Sequence, residues 1–302
     1  MRRMRIGLLG TGPWAQRVHA PVLADHPGVE FVGVWGRRPE AAAELAAVHG
    51  VPAYQDVDAL FAAVDAVSMA LPPAVQAGLA LRAAQAGCHL LLDKPLAMDV
   101  EQAAAVVAAA ERARVRTEVF FTLRFDRDQS AWTEQRAAAG DWFTGHAQWL
   151  GSVFAAGADS PYAASPWRRE KGALWDVGPH VLSVLLPTLG GVEQVTAAGG
   201  PGDTVHLAFR HAGGASSTAS LSLTAPPKAA GMSIELRGEA GVSRMPDSTA
   251  GPRAAFERAV DALRSGEPHP CDAAFGLRVV RVLAAAEEAL STGCAVRLAV
   301  GG

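Results

Sequence analysis

Cysteine is scarce in this 302-residue chain: Cys88, Cys271 and Cys294 are the only three, and none stands in a Cys-x-x-Cys spacing. An odd, scattered set argues against a disulfide framework and fits a reduced, cytoplasmic setting. Charge is thin as well. Lys and Arg number 27 against 30 Asp and Glu, a net charge of −3, and no Lys/Arg block is long enough to act as a nucleic-acid arm. No run of about 18 apolar residues occurs, so no membrane span is expected. Met1-Arg2-Arg3 is basic, but the apolar run behind it is short and ends in a glycine turn, which does not suit a signal peptide. There is no internal repeat. What is present is a globular profile, 50% hydrophobic and 19% charged, with length for one large or two ordinary domains.

The chain is organised around Arg5-Ile6-Gly7-Leu8-Leu9-Gly10-Thr11-Gly12-Pro13-Trp14-Ala15. A short apolar run ends in Gly-x-Gly-x-x-Ala and leads into a helical pattern, Gln16 to Ala24. That is the strand–turn–helix context of a dinucleotide fingerprint. Gly10 allows the tight turn, Gly12 lets backbone approach a pyrophosphate, and Ala15 allows close packing of helix on strand. The helix start offers N–H groups and a positive dipole end to phosphates. Taken alone, the motif is equally an ordinary glycine turn.

Strand-like and helix-like runs then alternate. Strands are expected at Val29 to Trp35, Asp65 to Leu71, His89 to Leu92 and Val115 to Thr122. Helices are expected at Pro39 to His49, Pro73 to Ala86 (closed by Gly87) and Val100 to Arg112. Such alternation predicts a parallel, doubly wound sheet. It ends near Arg124. Beyond it, five of the seven tryptophans (Trp132, Trp142, Trp149, Trp167, Trp175) crowd together. Strand-like runs follow without helices between them: His146 to Phe154, Gln194 to Ala198, Thr204 to Phe209, Ser216 to Thr224 and Met232 to Arg237. They predict an antiparallel sheet, covered on one face by helices at Pro179 to Leu189, Arg253 to Leu263 and Ala274 to Leu290. The fold class is therefore an α/β Rossmann domain, 1–123, followed by an α+β domain, 124–302, with an open, mostly antiparallel sheet.

Four clusters carry chemistry. Gly36-Arg37-Arg38 follows the second strand, where NAD-preferring sites place an acid on the ribose; here no acid stands there. Two guanidiniums suit a 2′-phosphate, so NADP is the expected cofactor with NAD as the alternative; a solvated arginine pair is the plain reading. Leu71-Pro72-Pro73 ends the third strand at the edge where ligands sit in open α/β sheets, or is a simple strand-to-helix turn. His89-Leu90-Leu91-Leu92-Asp93-Lys94-Pro95-Leu96 stops a buried strand on a carboxylate and an ammonium. Lys94 is suited to tuning a base and binding a substrate oxygen, although such pairs are more often solvated turns. Trp167-Arg168 and the run Gly172 to His180 form the last cluster. Asp176 and His180 stand four apart at an expected helix start, the spacing of an acid/base pair or of a helix cap with an incidental histidine. A metal would need a third ligand, which the neighbourhood lacks.

Together, in this order, the clusters resemble the glucose–fructose oxidoreductase/inositol dehydrogenase/MocA family of NAD(P)-dependent oxidoreductases over nearly the whole chain. The residues carrying the resemblance are Gly10-Thr11-Gly12, Leu71-Pro72-Pro73, Asp93-Lys94-Pro95 (where the family has Glu-Lys-Pro), Arg124-Phe125, Trp167-Arg168, Gly172 to His180, and Glu287 to Gly293. The resemblance implies an active site in the cleft between the domains, with Lys94, Asp176 and His180 as the catalytic set. His180 would exchange a proton with the substrate oxygen, Lys94 would hold that oxygen, and Asp176 would orient substrate. Arg124 and Trp167 would join them on the substrate. The cofactor set is Gly10, Thr11, Gly12, Pro13, Trp14, Gly36, Arg37 and Arg38 at its far end. Leu71, Pro72, Gln76, Asp93, Lys94, Pro95, Trp167 and Arg168 complete it. Two positions depart from the family: Ser183 stands for a carboxylate, and Gln76 for a histidine near the nicotinamide ribose.

The expected function is hydride transfer between NADP and a sugar, deoxysugar or cyclic polyol. A non-catalytic NAD(P)-binding sensor is the alternative, and an oligomeric interaction protein with a vestigial pocket a more distant one. The family usually assembles through its open sheet, which implies a homodimer or homotetramer.

Overall fold

The apolar runs of the first 120 residues are too short for helices and are buried on both faces, which suits a parallel sheet. In the computed structural model, which describes residues 2–299, they form β1 (Met4–Leu9), β2 (Val29–Trp35), β3 (Ala53–Tyr54), β4 (Ala66–Met69), β5 (His89–Asp93) and β6 (Thr117–Phe120). All neighbours are parallel and the order is β3-β2-β1-β4-β5-β6, the doubly wound arrangement. Helices Pro39–His49, Pro73–Gln85 and Val100–Ala113 connect the strands. Gly87, with φ +83°, turns the chain out of the second of them. The short elements β3 and helix Val57–Ala63 lie in a stretch too brief to show a period.

The second sheet has seven strands: β7 (Trp142–Leu150), β8 (Val192–Gly199), β9 (Val205–His211), β10 (Ser216–Ser222), β11 (Gly231–Gly238), β12 (Gly241–Arg244) and β13 (Val296–Arg297). Their order is β12-β11-β7-β10-β9-β8-β13. The sheet is mostly antiparallel, as expected: among the described pairings only β7 and β10 run parallel. Helix Gly178–Leu189 packs on this sheet so closely that a Cβ on Gly145 would lie 2.8 Å from Leu189.

Two compact units result. One takes the chain up to Asp126 together with Ala250–Leu277; the other takes Arg127–Thr249 and the chain from Arg278 onward. Helix Gly251–Ser265 was expected to cover the second domain's sheet, and here the structure differs. Its buried stripe of Ala255, Phe256, Ala259, Val260 and Leu263 belongs to the first unit, with Phe256 5.1 Å from Phe120 and 4.0 Å from His19, ring to ring. Thr122 likewise leaves the strand expected at Val115 to Thr122 and opens a helical turn, Thr122–Phe125. Among the described residues no helix is long and apolar enough to cross a membrane.

His19 ends the helical turn Ala15–His19 that follows the glycine turn, fully buried, with Nδ1 2.8 Å from the Ser68 hydroxyl. Burial pushes its imidazole down to about 3, so it is neutral in the folded chain. The unfolded chain takes up that proton near pH 6.5, so stability is intact above this value and falls as pH drops toward 3. The slope approaches about 1.4 kcal/mol per pH unit. His19→Asn should flatten that limb in denaturation curves measured between pH 7 and 4.

Candidate active site

The site elements of the first unit gather at the C-terminal ends of adjacent strands. β1 stops at Gly10, whose N–H donates to the Trp35 carbonyl at 2.9 Å. Its φ is +124°, and a Cβ there would collide with the Ala70 carbonyl oxygen of the next strand end. Only glycine meets both conditions. At Gly12 a Cβ would meet nothing within 4 Å, so the backbone borders open space at the helix start. That is where a pyrophosphate belongs, and the turn fits a dinucleotide on this ground. Gln16 fixes the loop through its side-chain N–H to the Thr11 carbonyl, 3.0 Å. The helix begins as a π-helical turn, Ala15–His19, and Trp14 at its head stacks on Phe120, with centroids 6.3 Å apart. Thr11 touches the end of β2, where Gly36 is buried and Arg37 and Arg38 are exposed.

β4 ends at Met69, short of the expected Leu71, and helix Pro73–Gln85 opens on Pro73 with Pro72 as its cap. One turn in, Gln76 is fully buried. Its amide oxygen accepts from the Asp93 N–H at 2.9 Å, and its amide nitrogen donates to the carbonyls of Asp93 (2.7 Å), Pro95 (3.2 Å) and Leu96 (3.3 Å). Both ends of the amide are thus engaged by the turn that carries Lys94, which has a cis Lys94–Pro95 peptide. Gln76, expected near the nicotinamide ribose, clamps the backbone on either side of Lys94. The Asp93 carboxylate also accepts a hydrogen bond from the Lys94 N–H, 3.0 Å. Gln76→Ala should cost about 1–3 kcal/mol in urea denaturation, because buried backbone groups lose their partner. Gln76→Glu should cost more, since it sets a carboxylate against three carbonyls. Arg124 is buried in the turn Thr122–Phe125, beyond the end of β6.

In the second unit, helix Pro166–Asp176 is broken at Gly172, with φ +62° and ψ −161°, a glycine-only conformation. The break turns the segment Ala173–Asp176 inward, and all four of its residues are buried. Asp203, on the β8–β9 turn, holds it there. Its carboxylate accepts from the Ala173 N–H (3.0 Å), the Leu223 N–H (2.8 Å), the Thr224 N–H (3.1 Å) and the hydroxyls of Ser222 (3.0 Å) and Thr224 (2.9 Å). Asp176 pairs with Arg168 at 3.1 Å, and the Arg168 guanidinium lies 4.6 Å from the Trp167 ring and 5.0 Å from Tyr162. Helix Gly178–Leu189 begins two residues later. In its first turn His180 is buried and stacks on Trp149 of β7, with centroids 5.2 Å apart and planes 22° apart. Ser183, in place of a carboxylate, is spent within the helix: its hydroxyl donates to the His180 carbonyl at 2.7 Å.

Thus Trp167, Arg168 and Asp176 form one cluster, with His180 at the start of the next helix. Sequence reasoning missed Asp203, because an aspartate after Gly199-Gly200-Pro201-Gly202 reads as an ordinary turn residue. It also left Trp149 among the core aromatics. Among the described residues no group of three or more His, Cys, Asp or Glu side chains is placed to hold a metal.

Comparison with known proteins agrees with this architecture. A model of an oxidoreductase family with an NAD-binding Rossmann fold matches residues 4–121, and a GFO/IDH/MocA C-terminal domain matches residues 138–244. A UDP-N-acetylglucosamine 3-dehydrogenase from Acidithiobacillus ferrooxidans is 40% identical over 111 residues. That match covers 37% of this chain and only about a third (34%) of the relative's own length. A dTDP-3,4-didehydro-2,6-dideoxy-alpha-D-glucose 3-reductase from Streptomyces violaceoruber is 32% identical over 68% of this chain and 60% of its own. The WlbA dehydrogenase from Bordetella pertussis, solved with NADH and UDP-GlcNAcA, shares the fold at a TM-score of 0.85 and 23% identity, covering 99% of this chain and 100% of that one. With both halves matched in order and a glycine turn built for a dinucleotide, the chain belongs to the GFO/IDH/MocA family of NAD-binding oxidoreductases.

Proposed function

We propose that the chain is an NAD(P)-dependent dehydrogenase or reductase acting on a ring hydroxyl or ketone of a sugar, deoxysugar or related cyclic polyol. The observation that carries this reading is the pair of buried groups at successive helix ends: His180 held flat on Trp149, and Asp176 held by Arg168. A histidine fixed in one plane, with a carboxylate held in place four residues earlier in the chain, is suited to proton exchange with a hydroxyl. When bound, a nicotinamide dinucleotide would supply the hydride acceptor or donor. Gly10, Thr11, Gly12, Pro13 and Trp14 would seat its pyrophosphate. Lys94, on its clamped turn, binds the reacting oxygen; His180 gives or takes that oxygen's proton; Asp176, with Trp167 and Arg124, orients the ring. The names of the two relatives place their chemistry at carbon 3 of a sugar, which supports the substrate class. Turnover of cofactor on a panel of sugars and sugar nucleotides tests the reading. Activity on at least one, abolished by Lys94→Ala and by His180→Ala, supports it; cofactor binding with no turnover on any compound points to a sensor.

The preferred cofactor is NADP. Arg37 and Arg38 are exposed at the end of β2, where a carboxylate would otherwise reject a 2′-phosphate. Arg37→Ala should reduce the ratio of NADP to NAD affinity by about tenfold or more, the worth of one charge-assisted contact. Equal affinity of the parent for both cofactors would refute the preference.

The reading includes a reducing, cytoplasmic setting, supported by three free thiols. It also includes self-association through the second sheet, whose His146, Gln148, Thr218 and His206 are exposed. Light scattering giving twice or four times the chain mass would support that assembly.

A further inference from the structure

The first sheet has a second charged end. Arg5, Asp65, His89 and Arg116 stand at the starts of the neighbouring strands β1, β4, β5 and β6, joined by backbone hydrogen bonds: Asp65 N–H to Arg5, His89 N–H to Asp65, and Leu90 N–H to Arg116. A cavity of about 480 Å³ opens there, lined by Arg2, Arg3, Asp65, His89, Arg116 and Arg264. That volume lies within the ~300–1,000 Å³ typical of small-molecule sites. Five residues of strand at ~3.3 Å each separate it from the glycine turn, roughly 16 Å along β1. It is a different place from the cofactor's.

The pocket's charge is not self-cancelling. Its one carboxylate, Asp65, is already taken: Oδ1 accepts from Arg2 (3.0 Å) and Arg5 (2.9 Å), and Oδ2 accepts from the Arg5 N–H (2.9 Å). Burial alone would raise that carboxyl, but the hydrogen bonds from Arg5 and Arg2 together pull it down to about 2, so it stays ionised and committed. Arg116 forms no ion pair among the described residues, and its Nε is buried without a hydrogen-bond partner. Two guanidiniums are seated rather than waving in solvent. Arg116 Nη1 lies over Gly266, where a Cβ would stand 2.7 Å away, and Arg264 lies over Gly28, where a Cβ would collide with its guanidinium. Arg264 is steadied from the side by Asp261, 3.1 Å. His89 accepts the Arg116 N–H on Nδ1 at 3.0 Å, so its neutral ring carries its proton on Nε2, a further donor among the residues that line the cavity. Burial and the nearby Arg116 both favour that neutral form.

We propose that this pocket binds the phosphate or diphosphate group of a small molecule, with Arg116, Arg264 and the His89 Nε2–H as its donors and Arg3 closing the rim. Planar guanidiniums match phosphate oxygens in pairs, and seating them in advance lowers the entropic cost of the contact. The site does not depend on the proposed oxidoreductase chemistry.

Calorimetry on the full chain tests it, with inorganic phosphate, pyrophosphate and a hexose phosphate titrated at matched ionic strength, in the absence and presence of saturating NADH. One-to-one binding that persists under NADH is expected, weakened at least tenfold by Arg116→Ala and by Arg264→Ala and unchanged by Arg37→Ala. Arg116→Gln, which keeps most of the aliphatic stem but removes the guanidinium, should weaken it similarly. Tighter binding of the hexose phosphate than of the free ions would identify a metabolite as the source; equal binding would identify the free anion. No saturable binding of any probe overturns the proposal. So does binding displaced by NADH, or binding indifferent to the arginine substitutions.

Discussion

His180→Ala is expected to lower kcat on a substrate found in the panel by about 10²–10⁴-fold, the usual worth of a positioned acid/base. The fold should survive the change. The side chain is buried against Trp149, and its loss removes one stacked ring contact of about 0.5–1.5 kcal/mol and leaves a small void. Dinucleotide affinity should also survive, because the glycine turn belongs to the other compact unit. The diagnostic pattern is therefore a fall in kcat with cofactor Kd and thermal midpoint nearly unchanged. His180→Asn, which fills more of the same volume and hydrogen-bonds but does not shuttle a proton at neutral pH, should be as inactive as alanine. If either variant retains parental kcat, His180 is a core histidine packed under a sheet, and the proposed chemistry fails with it.

Much of the fold was readable because its signals are local. Val29–Trp35 and Pro39–His49 form with the boundaries their residue types suggest: β-branched residues in the strand, and a proline whose fixed φ suits the first helical position. Gly10 was readable for the same reason, since only one residue type tolerates its backbone and its neighbour's carbonyl. What escaped depends on distant partners. The stripe on Gly251–Ser265 declares that one face is buried, yet nothing in its period says that Phe256 goes between Phe120 and His19. The parallel seam between β7 and β10 joins segments some seventy residues apart, with Thr144 opposite Ser216. Helix Arg127–Ala139 buries only Gln129, Ser130 and Thr133 and so carries no apolar period at all.

In the site, the residues readable in advance are those that would touch ligand, and the unreadable ones hold them. Gln76 is a lone polar residue on a helix face until the turn carrying Lys94 folds over its amide. Asp203 is likewise a turn aspartate until the broken helix docks. Each side chain fixes the backbone beneath a proposed reactive group rather than the group itself. By holding the main chain on either side of Lys94 and at Ala173, these two contacts set where the Lys94 and Asp176 side chains start from.

Asp203→Ala should be the most damaging single change outside the proposed reacting groups. Five donors converge on that carboxylate: the N–H groups of Ala173, Leu223 and Thr224, and the hydroxyls of Ser222 and Thr224. Ala173, Ser222 and Leu223 are nearly inaccessible to water, so their donors would be left in place without acceptors. Unpaired buried donors cost about 1–3 kcal/mol each, and water entering from the half-exposed side recovers part of the sum; a net loss of about 3–5 kcal/mol is expected in urea denaturation. Asp203→Asn should recover only a minority of it, since its amide NH₂ would point donors at donors. The functional consequence follows from the backbone. With Ala173 released, the segment Ala173–Asp176 loses the contact that holds its inward turn at Gly172, so Asp176 and its partner Arg168 no longer share one geometry. KM for the sugar should rise more than kcat falls, and the rise should persist in Asp203→Asn at temperatures where that variant is fully folded. A variant that loses stability yet keeps the parental KM would show that Asp203 only closes the β8–β9 turn, and that the broken helix holds its shape unaided.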